Sequence, residues 1–524
     1  MVITRWVVRF SLPGPPTRKA ILLYLTTLSL KSIGGDTLTD GIVSFGREKI
    51  YTDYDVVTAG NVLDILEHSF DKHSENAREI DYLYEYYKGN QPVLNRTKEY
   101  REEILNKIVV NRANMIVDFK TGYLVGEPIQ YVNRSGEDNV SEYINKLNDY
   151  MFAEDKSGRD KELADWMHIA GTGFRMAMPD SSVELDEDES PFEVYTLDPR
   201  YTWVVYHSGL GEKPKVAFKY IVRQDGTNVF SAYTDSMYYE IIDGNIVRAE
   251  PHSLGMIPII EYPANNARLG AFEIVLSLLD ALNEAESNRL DAVEQFVQSL
   301  LVFKGVDIDS DDFSALKLLG GIKIPPEGDV KYLVQEMNQT STQTLVDDLF
   351  DTILTICAVP SQALRSTSDS SNNGAVILKH GWESAEARAK DTELMFKQSE
   401  KVFLKLILKI CDTLGQMPIK VSDVEIRFTR RNYENIQSKA QVLCEMLSSE
   451  KIHPKLAFAS CNLFPDAELA YTMSMEYWEE RKQQTLAELA FDEAQEKTDQ
   501  TQLGTAAEQN GYGGADAGGY YENR

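Results

Sequence analysis

The side chains with the most obvious chemical capacity are the carboxylates of Asp307-Ile-Asp-Ser-Asp-Asp312. Their alternation at Asp307, Asp309 and Asp311 could gather a divalent cation, as a metal-dependent nucleic-acid-processing enzyme would require. A calcium loop of the EF-hand kind needs Gly where Asp312 stands and Glu where Leu318 stands, so that reading fails and a solvated acidic loop is the plain alternative. A second group, Glu383, Glu386, Asp391 and Glu393, has the spacing of a wet helix face partnered by Arg388 and Lys390 rather than of paired general acids. The seven histidines are scattered, with no pair at zinc-ligand spacing on one helix. Cys357, Cys411, Cys444 and Cys461 form no CxxC pair, which suits a reduced cytoplasmic protein with buried thiols. The sequence has no phosphate-binding GxxxxGKS/T, no HExxH and no GxSxG, and Gly171-Thr-Gly173 and Gly209-Leu-Gly211 lack the third glycine of a dinucleotide turn.

Composition narrows the classes further. The 524 residues leave room for several cores, and 43% hydrophobic with 26% charged is ordinary for a soluble globular protein. The net charge of −29, from 82 acidic and 53 basic residues, weighs against a sequence-reading nucleic-acid binder, which would carry a basic face. An acidic surface that surrounds DNA without gripping it would release few counterions and allow sliding. No apolar run reaches the length of about 18 residues that a membrane span needs. Ala20–Leu30, preceded by Arg18 and Lys19, superficially resembles a signal peptide, but the region before it is long and contains Pro13, Pro15 and Pro16. Residues 1–35 hold five basic side chains and no acid, which leaves −34 for the rest. So sharp a break marks a segment foreign to the domain behind it, such as translation from an upstream start codon. Targeting is the alternative, and a membrane-associated adaptor acting through residues 18–30 is a further function to weigh.

These residues must be positioned by the elements around them. Helical spacing is expected from about Val56 to Glu103, broken at Gly89-Asn-Gln-Pro92, with helix or strand over Asn111–Ile116, a turn at Gly122–Pro128 and Ile129–Val132 after it. Short strands are expected at Phe174–Met178, Phe192–Thr196, Thr202–Tyr206, Ala217–Val222 and Tyr238–Ile242, so Asp165–Asp243 reads as an α+β platform. A buried strand follows within His252–Asn266. From Gly270 to about Phe303, apolar residues at helical spacing face Glu273, Asp280, Glu284, Asp291 and Gln295 across a helix of about 50 Å. A small β insert with a short helix at Asp311–Leu318 and a strand at Val330–Val334 comes next, then a helix over Ser341–Cys357 that stops before Pro360. Ser361–Gly374 is almost wholly small and polar, and is expected to be mobile. A third helix, Ala375 to about Leu414, spans about 60 Å with a kink at Gly381. A strand at Val424–Phe428, helices from Asn435 to about Phe491 broken at Pro454 and Pro465, and a disordered acidic tail from Asp492 complete the chain.

Several blocks in this order resemble the portal (head-to-tail connector) proteins of siphovirus-type tailed bacteriophages. They are Arg78–Val132, with Tyr86-Tyr-Lys-Gly-Asn90, Ile108-Val-Val-Asn111 and Gly122-Tyr-Leu-Val-Gly-Glu-Pro128, then His252–Asn266, Arg268–Gly305, Asn373-Gly-Ala-Val-Ile-Leu-Lys379 and Ile426-Arg-Phe-Thr-Arg430. The resemblance covers roughly residues 60–480. It implies a helix-rich α+β portal fold with wing, stem, clip and crown, assembling as a ring of twelve subunits at one capsid vertex of the virion. Double-stranded DNA would pass through that ring without sequence preference. Residues 1–54 would be a variable extension, 55–265 the wing, 266–303 and 340–360 the stem helices, and 304–339 the clip. Residues 361–374 would be the tunnel loop, 375–434 the long helix and its return to the wing, 435–491 the crown and 492–524 the tail.

The resemblance implies no catalysis, cofactor, metal or membrane. Its implied partners are further copies of the chain, the large terminase subunit, head-completion or adaptor proteins, and the major capsid and scaffolding proteins, with assembly in the bacterial host cytoplasm. The DNA-facing residues would be Arg365, Ser368, Ser371, Asn372, Asn373 and Lys379. The clip contacts would be Lys317, Lys323, Glu327, Asp329 and Lys331. Arg365 and Lys379 could touch passing phosphates, or could equally anchor the loop or join a stem salt bridge.

Overall fold

The computed structural model describes residues 46–99, 101–135, 138–180, 189–297, 300–304, 326–333, 339–361, 381–413, 417–430, 436–449, 451–461, 463–464 and 467–509. They form two compact units, one ending at Arg431 and one beginning at Asn432.

In the first unit a short strand β1 (Ile50–Thr52) leads into helix α1 (Val62–Lys88). Gly89 closes that helix at φ +103, a left-handed position that favours glycine, where the Gly-Asn-Gln-Pro sequence requires a turn. Helix α2 (Arg112–Val125) is capped by Asn111, whose side chain accepts from the Asn114 N–H, and it runs through Gly122 instead of breaking there. After β2 (Gln130–Asn133) come two helices absent from the sequence reading, α3 (Asp138–Ala153) and α4 (Lys156–Ala170). α4 has no clean apolar stripe, because Lys156 and Asp160 are buried alongside Leu163 and Met167.

The platform strands are β3 (Thr172–Pro179), β4 (Phe192–Leu197), β5 (Thr202–His207), β6 (Pro214–Val222), β7 (Asn228–Tyr233), β8 (Met237–Ile242), β9 (Asn245–Pro251) and β10 (Ile259–Pro263). β7 and β9 are additional to those expected. They form a six-stranded sheet ordered β1-β5-β6-β7-β8-β9, with β1 parallel to β5 and the other pairs antiparallel, and a three-stranded sheet ordered β10-β3-β4. The first half of α1 packs on the larger sheet through Val62, Ile65, Leu66, Trp203 and Phe218.

Helix α5 (Leu276–Val297) follows a 3-10 turn at Glu273–Val275, so the expected helix over Gly270–Phe303 is shorter at both ends. Leu300–Lys304 forms β11, paired antiparallel with β12 (Asp329–Leu333). Cross-strand pairing of that apolar segment outweighs continuation of the helical period. Helix α6 (Gln339–Cys357) and helix α7 (Trp382–Thr413) come next. Gly381 stands directly before α7 at φ +79, which no α-helical residue adopts, so it marks the start of the described helix instead of a kink within it. β13 (Val424–Arg427) returns to pair antiparallel with β2.

The second unit holds α8 (Ile436–Ser448), α9 (Pro454–Cys461) and α10 (Ala467–Gln509), packed around Leu443, Ala457, Phe458 and Cys461. α10 continues past Asp492, where the sequence reading placed the start of a disordered tail. Its residues up to Gln509 are rich in Ala, Glu and Gln, which are good helix formers, and the glycine cluster begins only at Gly511.

Candidate functional site

Helices α5 and α6 pack against each other and against α1 and α2. The contact is apolar: Leu83, Tyr86, Ala113, Ile116 and Val117 of α1 and α2 pack with Phe272, Val275, Leu279 and Leu282, and with Val346, Ile353 and Leu354 of α6. Tyr86 donates to the Asp280 carboxylate at 2.8 Å, and Arg47 pairs with Glu273 at 2.5 Å, so two acids placed on the polar face by periodicity are held by the body.

Farther along α5 the fastening becomes polar. Residues 105–110 run as a strap beside the helix, ending at Asn111, which is left-handed at φ +48. The Val110 N–H donates to Asn283 Oδ1 at 2.9 Å, the Ile108 N–H to Ser287 Oγ at 2.9 Å and the Asn106 N–H to Asp291 Oδ1 at 2.7 Å. The match is metric, since four residues of helix rise about 6 Å and two residues of extended chain about 6.6 Å. Arg96 at 2.8 Å and Lys98 at 2.5 Å close the far end on Asp291 Oδ2, and Asn283 Nδ2 donates to Gln91 Oε1 at 2.5 Å at the near end. Burial alone would raise the Asp291 pKa. Bonds from Lys98, Asn106 and Arg96 outweigh it and hold the carboxyl at about 2.

Exposed apolar side chains stand in the 3-10 turn before α5, at Ile274 (51% exposed), and on the pair, at Leu290, Leu345 (52% exposed) and Ile356, while Glu284, Asp347, Asp348 and Asp351 are exposed acids.

Helix α7 is held differently. Glu400 is completely buried and accepts from Tyr131 at 2.5 Å, Tyr262 at 2.7 Å and Arg175 at 3.1 Å, with Lys156 Nζ at 2.9 Å. Asp160 completes the cluster by accepting from Lys156 and Arg175. Burial works to raise the Glu400 pKa, but Lys156 and Arg175 pull it down to about 2. The cluster ties α7 to β2, α4, β3 and β10. Nearer its start, α7 meets Arg430, which pairs with Glu386 at 2.8 Å and with Glu393. The expected wet-face partner Lys390 does pair with Glu386, at 3.5 Å.

Arg365, Ser368, Ser371, Asn372, Asn373, Lys379, Lys317, Lys323, Asp307, Asp309, Asp311 and residues 18–30 lie outside the described residues, as do the expected helix over 311–318 and all of the expected loop Ser361–Gly374 except Ser361. Glu327 is exposed in the turn before β12, Asp329 opens that strand opposite Lys304, and Lys331 stands opposite Val302. Among the described residues no His, Cys, Asp or Glu cluster has metal-holding geometry, and no helix is long and apolar enough to cross a membrane. Cys357, Cys411 and Cys461 are buried free thiols and Cys444 is an exposed one; burial raises the Cys357 pKa to about 11 and that of Cys411 to about 12. His168 and His73 are buried and held neutral, their pKa values lowered by burial to about 3 and about 4.

Sequence reasoning missed the ladder and the Glu400 cluster. Acceptors at strict four-residue spacing, Asn283, Ser287 and Asp291, were a usable signal for the first, and the lone Arg175 inside the apolar strand Phe174–Met178 for the second.

The model of the family "phage portal protein, SPP1 Gp6-like" matches residues 66–487. The chain belongs to this family. The portal protein of Bacillus phage SPP1 is 23% identical over 386 residues, covering 68% of this chain and 73% of that one. Among solved structures, a chain in the neck of an empty GTA particle aligns at a TM-score of 0.40 with 11% identity, over 67% of this chain and 90% of its own. The function is therefore that of a bacteriophage portal protein, a structural component of the virion with a role in DNA packaging.

Proposed function

We propose that copies of this chain close into a ring, of twelve subunits as the family resemblance implies, around double-stranded DNA at one capsid vertex. In this reading residues 55–265 and β13 form the wing, α5 and α6 the stem, and 304–339 the clip, which docks the large terminase subunit and later the head-completion proteins. Residues 361–374 are the tunnel loop, α7 is the long wing-spanning helix and residues 435–491 are the crown. The observation that carries the ring is the apolar surface left exposed among the described residues of the α5–α6 pair and the turn before it, Ile274, Leu290, Leu345 and Ile356, which a neighbour would cover. The acids Glu284, Asp347, Asp348 and Asp351 on the same pair support weak, sequence-independent passage of a polyanion. Arg365 and Lys379 are assigned to transient phosphate contact, with Ser368, Ser371, Asn372 and Asn373 as uncharged neighbours, and Lys317, Lys323, Glu327, Asp329 and Lys331 to the clip surface. Electron microscopy of the purified protein tests this: rings with a central channel are expected, and a monomer or compact dimer without one refutes it.

A further inference from the structure

Among the described residues, the main chain of the strap over residues 105–110 is bonded along one edge only. In an extended chain the N–H and C=O of one residue share an edge and successive residues alternate. Asn106, Ile108 and Val110 turn theirs to the α5 ladder, so Lys107 and Val109 turn theirs away from it. Among the described residues nothing bonds the main-chain N–H or C=O of Lys107 or Val109. Lys107 is exposed and Ile108, Val109 and Val110 are only half-buried, so the strap is not enclosed by the described residues.

We propose that this open edge pairs, main chain to main chain, with an extended segment of a neighbouring copy. Two donors and two acceptors about 6.6 Å apart are what an added strand requires. Ile108-Val109-Val110 is β-branched throughout, which suits pairing better than a solvated loop. The occupant is a second copy because the strap is fastened to α5, the same helix whose exposed Leu290 a neighbour covers in the ring reading. In the free chain the edge is short and flanked by Lys107, which limits indiscriminate strand addition. The inference rests on the ring reading.

Residue-resolved hydrogen exchange on the dissociated chain and on assembled rings tests it. In the dissociated chain the amides of Lys107 and Val109 should exchange far faster than those of Asn106, Ile108 and Val110. On assembly, Lys107 and Val109 should slow by about a hundredfold or more. A Val109→Pro variant removes one outward N–H and leaves the inward ladder intact, so it should fold as the wild type but lose ring yield by about tenfold. Val109→Ala, which keeps the N–H, should assemble normally. Rings in which Lys107 and Val109 exchange as fast as in the free chain would overturn the edge pairing while leaving the ring. Protection that arises only after a head-completion protein is added would assign the edge to that partner and overturn the second-copy assignment. Failure to form any ring would remove both readings.

Discussion

The two long helices of the first unit are fastened to the same body by opposite physics. α7 carries Glu400 into a closed cluster with Lys156, Asp160, Arg175, Tyr131 and Tyr262, all shielded from water. α5 has an apolar root but is held along its length by Asn283, Ser287 and Asp291, each reaching one amide of a strap whose other edge stays open. A closed charge cluster fixes one arrangement because every alternative strands a buried charge. A ladder of neutral and charge-assisted bonds sets register in small separable increments and leaves the strap able to take a second partner. The difference suits a helix buried within the body on one hand and, on the other, a helix that also carries exposed apolar side chains.

Three substitutions probe that contrast, from the largest expected effect downwards. Glu400→Ala should destabilise the chain by about 3–5 kcal/mol in urea unfolding, since Lys156 and Arg175 would be left as uncompensated buried cations. A loss under about 1 kcal/mol would erase the distinction between cluster and ladder. Asp291→Asn should remove about 2 kcal/mol at neutral pH. The sign follows from a carboxyl held at about 2 in the fold against 3.8 in the unfolded chain: its stabilisation is complete above about pH 4 and is lost as pH falls towards 2. The gap between wild type and Asp291→Asn should therefore narrow over that window, and a gap independent of pH would show that the carboxylate charge is not what Arg96 and Lys98 require. Ser287→Ala should lose only about 1 kcal/mol, with faster exchange confined to the Ile108 amide. Exchange that spreads along the whole strap would show the ladder to be one cooperative unit instead of separable rungs.

How far the sequence could be read depended on how local each signal was. Five platform strands, the helix ending at Cys357 and the turn at Gly89 were legible, because alternation, a proline stop and a glycine required at positive φ act over a few residues. The helices α3 and α4 were not, because burying Lys156 and Asp160 blurs an apolar stripe that would otherwise show a helical period. Leu300–Lys304 continued the helical pattern on paper, yet it pairs with Asp329–Leu333 across a stretch of chain that no local window includes. In the second group of carboxylates Glu386 and Glu393 did find cations on their own helix, Lys390 and Lys397, but both also pair with Arg430, some forty residues away in sequence.

By itself the sequence determined the family, through blocks in a fixed order, and the existence and order of the long helices, through apolar residues repeating at helical spacing. It also determined the net negative charge that shapes any encounter with DNA. Only the tertiary structure decided which polar residues of those helices are buried. Glu400 and Asp291 look in sequence like ordinary solvated charges, and a local window contains neither of their partners. Arg175 stands 225 residues from Glu400, and Asn106 stands 185 from Asp291. A buried charge is tolerable only where the fold brings opposite charge or hydrogen bonds to it, and that is a property of distance in space which spacing along the chain does not encode.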